Sequence, residues 1–154
     1  YSLMAVGASN ILGIETPMNF NIPFISVDIK DFWNRWHITL STWLRDFVFS
    51  RIVMRFMRKK IFKKRLTTAM VAYMINMTFM GFWHGITLNY IAYGFYHGIL
   101  MAAFEWYQKK SKFYKKNKNK TWYKVISWII TMHLVMFGFL IFSGKMSEWA
   151  RKLI

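Results

Sequence analysis

Cysteine is absent from the chain, which excludes disulfides, thiolate metal sites and a cysteine nucleophile, and leaves the redox compartment unmarked. Acid is scarce, with 6 Asp and Glu against 22 Lys and Arg. Both prolines fall in one short stretch, at Pro17 and Pro23. The opening residues show no basic n-region, apolar h-region and small-residue cleavage site in succession, so insertion of the helices themselves is expected to direct the protein to a membrane. The most informative lack is of charge: residues 66–104, a run of 39, contain no Asp, Glu, Lys or Arg.

What is present fits that gap. The 154 residues are 55% hydrophobic and 20% aromatic, with 18% charged, too apolar and aromatic for an ordinary soluble domain of this size. They read as part of an all-α polytopic membrane protein. The chain begins at Tyr1 and enters at once on the apolar stretch Tyr1 to Ile14, so it is expected to be a fragment of one larger membrane domain. Eight Trp and eight Tyr suit an interface belt and helix packing.

The net charge of +16 is concentrated. Residues 51–65 and 109–124 each carry eight basic residues and no acid, while Lys30, Arg35, Arg45, Lys145, Arg151 and Lys152 balance the six acids. Both clusters abut long apolar stretches, as expected of cytoplasmic juxtamembrane loops that touch anionic lipid. No nucleic-acid recognition motif accompanies them, and nucleic acid is not an expected partner.

Four pieces follow along the chain. Thr16 to Phe24 is a breaker-rich loop. Asp28 is placed to cap a helix whose first turn holds Asp31. From Asp31 to about Met57 an amphipathic helix is predicted, with Phe32, Trp36, Leu40, Trp43 and Phe47 on one face and Asn34, His37, Ser41 and Arg45 on another. The uncharged run is too long for one crossing, since 39 helical residues would span roughly 58 Å against a hydrocarbon core of about 30 Å. A break at Gly81 to Thr87 therefore predicts helices over about 67–83 and 88–107. A final span is predicted over Val125 to Phe142, stopping at Ser143-Gly144-Lys145.

His84 lies within the uncharged run, where a proton-accepting group is expensive and by default functional. An apolar site also disfavours the imidazolium and so favours the base form. The glycines at 81 and 85 permit close approach of backbone and substrate, and a bend between two half-membrane helices.

The segments Asp31-Phe-Trp-Asn-Arg-Trp-His37-Ile-Thr-Leu-Ser41-Thr-Trp-Leu-Arg45-Asp46-Phe47, Gly81-Phe-Trp-His84-Gly85 and Tyr93-Gly-Phe-Tyr-His97-Gly98 resemble, in order and spacing, the membrane-bound O-acyltransferase family. The flanking Met18 to Phe24, Arg65 to Thr68, Gly85 to Ile91 and Phe137 to Gly144 are most similar to its teichoic-acid-modifying branch. The likeness covers essentially the whole chain and corresponds to the C-terminal part of a longer protein.

The resemblance implies transfer of an acyl group from a thioester to a hydroxyl within a membrane tunnel. It makes His84 and His37 the catalytic pair, with Asn34, Ser41 and Trp83 as tunnel-lining candidates. His84 would take the proton of the attacking alcohol, a contribution of roughly 10² to 10⁴ in rate, or about 3 to 5 kcal/mol; His37 would line the tunnel near donor entry and orient the thioester. The donor it implies is D-alanine on the phosphopantetheine arm of an acidic carrier protein, with no cofactor bound by the chain itself. The acceptor would be the hydroxyls of teichoic acid, reached with the help of accessory membrane proteins.

His97 reads more simply as a packing residue, His133 carries no motif, and Arg45 and Asp46 read as a structural ion pair. Histidine spacings of 13 and 47 residues, with no His-x-x-x-His, do not support a metal site. No nucleophile elbow supports a Ser-His-Asp triad. Two other classes stay open: an O-acetyltransferase of the same family acting on an exported polysaccharide, and a non-enzymatic transporter or scaffold whose histidines line a path.

Overall fold

The computed structural model describes residues 1–145 and Glu148; Arg151 and Lys152, part of the charge balance above, lie outside the described residues. Among the described residues the chain is helical, without a strand. Helix α1 (Ser2–Ile11) is followed by the loop and a single 3-10 turn (Pro23–Ile25). Asp28 then caps α2 (Ile29–Arg35), accepting from the backbone N–H groups of Lys30 and Asp31 at 2.9 Å each. Two of the four otherwise unpaired N–H groups of that helix start are satisfied in this way. Asp31 in turn pairs with Arg35, one turn on, at 2.8 Å.

The amphipathic segment is not one helix. His37 adopts the left-handed conformation, φ +51° and ψ +51°, and ends α2 at Trp36; α3 (Ile38–Trp43) restarts beyond it. A π-helical stretch over Leu44–Phe49 then re-registers the chain before α4 (Ser50–Arg58). Helical spacing alone foresaw a continuous polar stripe; tertiary contacts to the loop override it. Asn21 N–H donates to Arg35 C=O at 2.9 Å and Ile38 N–H to Asn19 C=O at 2.8 Å, so the loop grips the chain on either side of His37.

Helices α5 (Arg65–His84) and α6 (Leu88–Lys110) form an antiparallel hairpin. The break is narrower than predicted, because α5 continues through Gly81 to His84 and only Gly85 to Thr87 lie outside helix. Gly85 has φ +147°, a conformation closed to most side chains. Gly81 instead serves packing: a Cβ there would collide with Tyr90 C=O and lie 3.1 Å from the Cα of Gly94, and one on Gly94 would strike Met77 C=O. Gly94-Phe-Tyr-His-Gly98 is thus a small-xxx-small face that lets the two backbones meet. The helices are also longer than half-membrane pieces, with 20 and 23 residues, or about 30 and 34 Å.

A short helix α7 (Lys112–Asn117) leads to α8 (Thr121–Phe142), which starts four residues before the predicted Val125. Gly144, at φ +76°, follows its end in the position a helix stop requires. Among the described helices α8 is the one long and apolar enough to cross a membrane by length and composition. It packs on α6, where the Tyr96 hydroxyl donates to Leu134 C=O at 3.0 Å. The core joins Phe32 and Trp33 of α2, Met77 and Met80 of α5, Tyr93 and Met101 of α6 and Val135 of α8. At its base Lys30 of α2 makes an ion pair with Glu105 of α6 and donates to Gln108 Oε1 at 2.7 Å.

Candidate active site

The left-handed backbone at His37 turns its ring away from the stripe on which helical spacing placed it. Asn19 Nδ2 lies 3.2 Å from His37 Nδ1. The direction of that bond follows from the rest of the amide, because Asn19 Oδ1 accepts from Thr39 N–H at 3.1 Å and Thr39 Oγ1 at 3.0 Å. The amide nitrogen therefore donates to Nδ1, and a neutral His37 carries its proton on Nε2. Burial holds the His37 imidazole below its ordinary pKa, so the neutral form is favoured.

His84 is the last residue of α5 and is half-buried. Its ring meets Phe142 of α8 edge-on, with centroids 5.1 Å apart, and Tyr93 at 6.3 Å. Trp83 stands against both histidines, at 5.7 Å from His37 and 4.9 Å from His84, edge-on to each. Among the described residues no hydrogen bond occupies a ring nitrogen of His84, leaving both free for an incoming group.

A cavity of about 490 Å³ lies between α2, α3 and the α5–α6 hairpin, and neither His37 nor His84 is among its lining residues. Asn34 and Ser41 are among its lining residues, and Arg45 joins them. Trp83 does not; it walls the histidines instead. The cavity wall includes Ile38, which follows His37, and Met80, one turn before His84 on α5. Two polar atoms on residues of this wall, Trp33 Nε1 and Asn76 Oδ1, are buried and have no hydrogen-bond partner among the described residues, a cost the fold bears there.

Sequence reasoning missed Trp33, Asn76, Tyr73 and Lys30 in this wall. The signal available for Asn76 was its amide within the uncharged run. For the others only the fold reveals their inward placement. His97 is fully buried against Trp33, Tyr93 and Gly138, a packing position, although both its ring nitrogens lack partners. His133 is exposed, with Nδ1 2.8 Å from Ile129 C=O one turn back. Arg45 and Asp46 form an exposed ion pair at 2.9 Å, outside the histidine pair. Among the described residues no three His, Cys, Asp or Glu side chains converge as metal ligands.

Comparison with known proteins bears on this geometry. A family model described as MBOAT, membrane-bound O-acyltransferase family, matches residues 1–147. The chain is 49% identical over 99% of its length to a teichoic acid D-alanyltransferase of Streptococcus thermophilus and 48% identical over 94% to one of Bacillus subtilis. It is 42% identical over 96% of its length to another, of Lacticaseibacillus rhamnosus. These alignments cover 39%, 37% and 37% of the relatives, so the chain spans about two-fifths of their length.

Proposed function

Because the chain belongs to the membrane-bound O-acyltransferase family, we propose that the full-length protein moves a D-alanyl group from a carrier-protein thioester to hydroxyls of teichoic acid, with His84 as general base and His37 as a hydrogen-bond donor. The names of the relatives support the substrate class. The observation that carries the division of labour is the state of the two rings on either side of Trp83: His37 has Nδ1 engaged by Asn19, while His84 keeps both nitrogens free.

The chemistry then runs in two proton movements. A teichoic acid hydroxyl attacks the thioester carbonyl carbon as its proton passes to a free nitrogen of His84. The carbonyl π bond opens to an oxyanion, towards which His37 Nε2–H is the available donor. When the carbonyl re-forms, the C–S bond breaks, and the departing sulfur takes the proton back from His84. The products are an ester and a free phosphopantetheine thiol.

The neighbouring cavity suits the donor arm as substrate. Phosphopantetheine is an extended chain with amide groups, and the cavity has polar residues, Asn34, Ser41 and Asn76, in an otherwise largely apolar wall. The carrier itself is acidic and needs a basic face. Helix α4 supplies Arg51, Arg55 and Arg58, with Met54 and Met57 exposed among them. On this reading α5, α6 and α8 all cross the cell membrane, both basic clusters lie on the cytoplasmic side, and the chain is one part of a single multi-pass domain. Accessory membrane proteins would bring the teichoic acid to the opposite face.

The test is compositional. Cells producing the full-length protein should carry D-alanine esters on their teichoic acids, and cells producing its His84→Ala variant at equal abundance should lack them. Retention of normal ester content by the variant would refute the assignment.

A further inference from the structure

A second groove, unconnected with the histidines, runs between α6 and α8 and is closed at one end by α7; its volume is about 470 Å³. Its wall along α8 runs from Trp122 to Leu134, with Leu100 to Tyr107 of α6 opposite. The polar side chains on this wall are turned to internal partners. Ser127 Oγ donates to Val27 C=O at 2.6 Å, Thr131 Oγ1 reaches the same oxygen at 3.4 Å, and the Tyr123 and Tyr107 hydroxyls bond each other at 3.4 Å. What faces the groove is therefore carbon. Ala103, Ile126 and Ile130 leave it open to the side.

Its length and charge identify the occupant. From residue 122 to 134 is about 18 Å of helix, close to the roughly 15 Å of hydrocarbon in one leaflet. The closed end lies at the eight lysines of residues 109–124, a segment without acid. Trp122 and Tyr123, side chains favoured at the headgroup level, line the groove there beside Phe113 of α7. Nearby acids are already engaged, Glu105 by Lys30 and Asp28 by the start of α2.

We propose that this groove holds an acyl chain of an anionic phospholipid from the leaflet on the side of the basic clusters, its phosphate resting among Lys112, Lys115 and Lys116 of α7. The phosphate gains from each nearby lysine, about fivefold in affinity apiece by the usual strength of such surface contacts. The acyl chain gains dispersion contacts along the groove's apolar wall. The proposal needs none of the acyl-transfer chemistry.

The experiment uses full-length protein reconstituted in bilayers of equimolar phosphatidylglycerol and phosphatidylcholine, released into mild detergent, with retained lipids counted by native mass spectrometry. Retention of phosphatidylglycerol over phosphatidylcholine by about fivefold or more is expected. Ala103→Phe and Ile130→Trp change exposed positions and fill the groove, and each should lower lipid retention by about fivefold or more. Replacing Lys112, Lys115 and Lys116 by Gln should leave a lipid bound but erase the preference for phosphatidylglycerol. Free glycerol phosphate should release none, because the acyl chain is the anchor. No retained lipid, retention unaltered by both groove-filling variants, or a headgroup preference untouched by the lysine changes would each overturn the proposal.

Discussion

Asn19 donates its side-chain N–H to Nδ1 of His37 at 3.2 Å across 18 residues of sequence, and so fixes both the tautomer and the facing of that ring. The sequence marked the loop holding Asn19 as a breaker with a family-like flank and His37 as a motif histidine on a polar stripe, but nothing in it paired the two.

Asn19→Asp replaces that donor with an acceptor and a negative charge. The aspartate would draw a proton onto His37 Nδ1 and favour the imidazolium. The added negative charge beside the developing oxyanion should lower transfer by the full-length enzyme at least about tenfold, or 1.4 kcal/mol. Unchanged rates across a pH series would contradict the role given to Asn19.

His37 also bears a conformational load, since its φ is +51°. Asparagine tolerates the left-handed region better than alanine, by about 1 kcal/mol. His37→Asn should accordingly unfold at a higher temperature than His37→Ala, while both lose transfer activity. Equal melting temperatures for the two variants would show that the backbone there relaxes.

Burial holds the His37 imidazole below its ordinary value. The folded state thus binds its proton less readily than the unfolded chain. The stability associated with the neutral ring is complete above the unfolded value of about 6.5 and is lost as pH falls through the lower folded value. Thermal unfolding of the full-length protein between about pH 7.5 and pH 5 should show this acid loss, and His37→Asn should flatten it.

Gly94 tests the hairpin. A Cβ there would lie 2.9 Å from the Cα and N of Gly81 as well as striking Met77 C=O, so Gly94→Ala must separate α5 from α6. A loss of about 1 to 3 kcal/mol is expected from such overpacking. Gly7→Ala meets nothing within 4 Å inside α1 and should raise stability by about 0.5 to 1 kcal/mol. Chemical denaturation of the two variants side by side gives the comparison.

The sequence carried the elements whose causes are local. The cap at Asp28, the helix stop before Gly144 and the turn at Gly85 depend on neighbours in the chain, and each stands where residue type placed it. The long amphipathic helix failed because its interruption at His37 is imposed from outside, by hydrogen bonds to Asn19 and Asn21. For the same reason the polar stripe divides, Asn34 and Ser41 going to the cavity and His37 to Trp83. The Gly94 to Gly98 spacing was present in the chain as a sign of helix contact, and the solid packing of Gly81 against it explains why the break begins only at Gly85. Trp33 stood within the first motif and Asn76 within the uncharged run, but only the fold brings the two into one cavity wall.

The most direct measurement of the central claim is the single-turnover rate of D-alanyl transfer by full-length His84→Gln protein, loaded with a carrier thioester in a reconstituted bilayer. Loss of a general base predicts a fall of about 10² to 10⁴ with carrier affinity unchanged. A rate within about twofold of the unmodified protein, where a base contributes at least about a hundredfold, would contradict it.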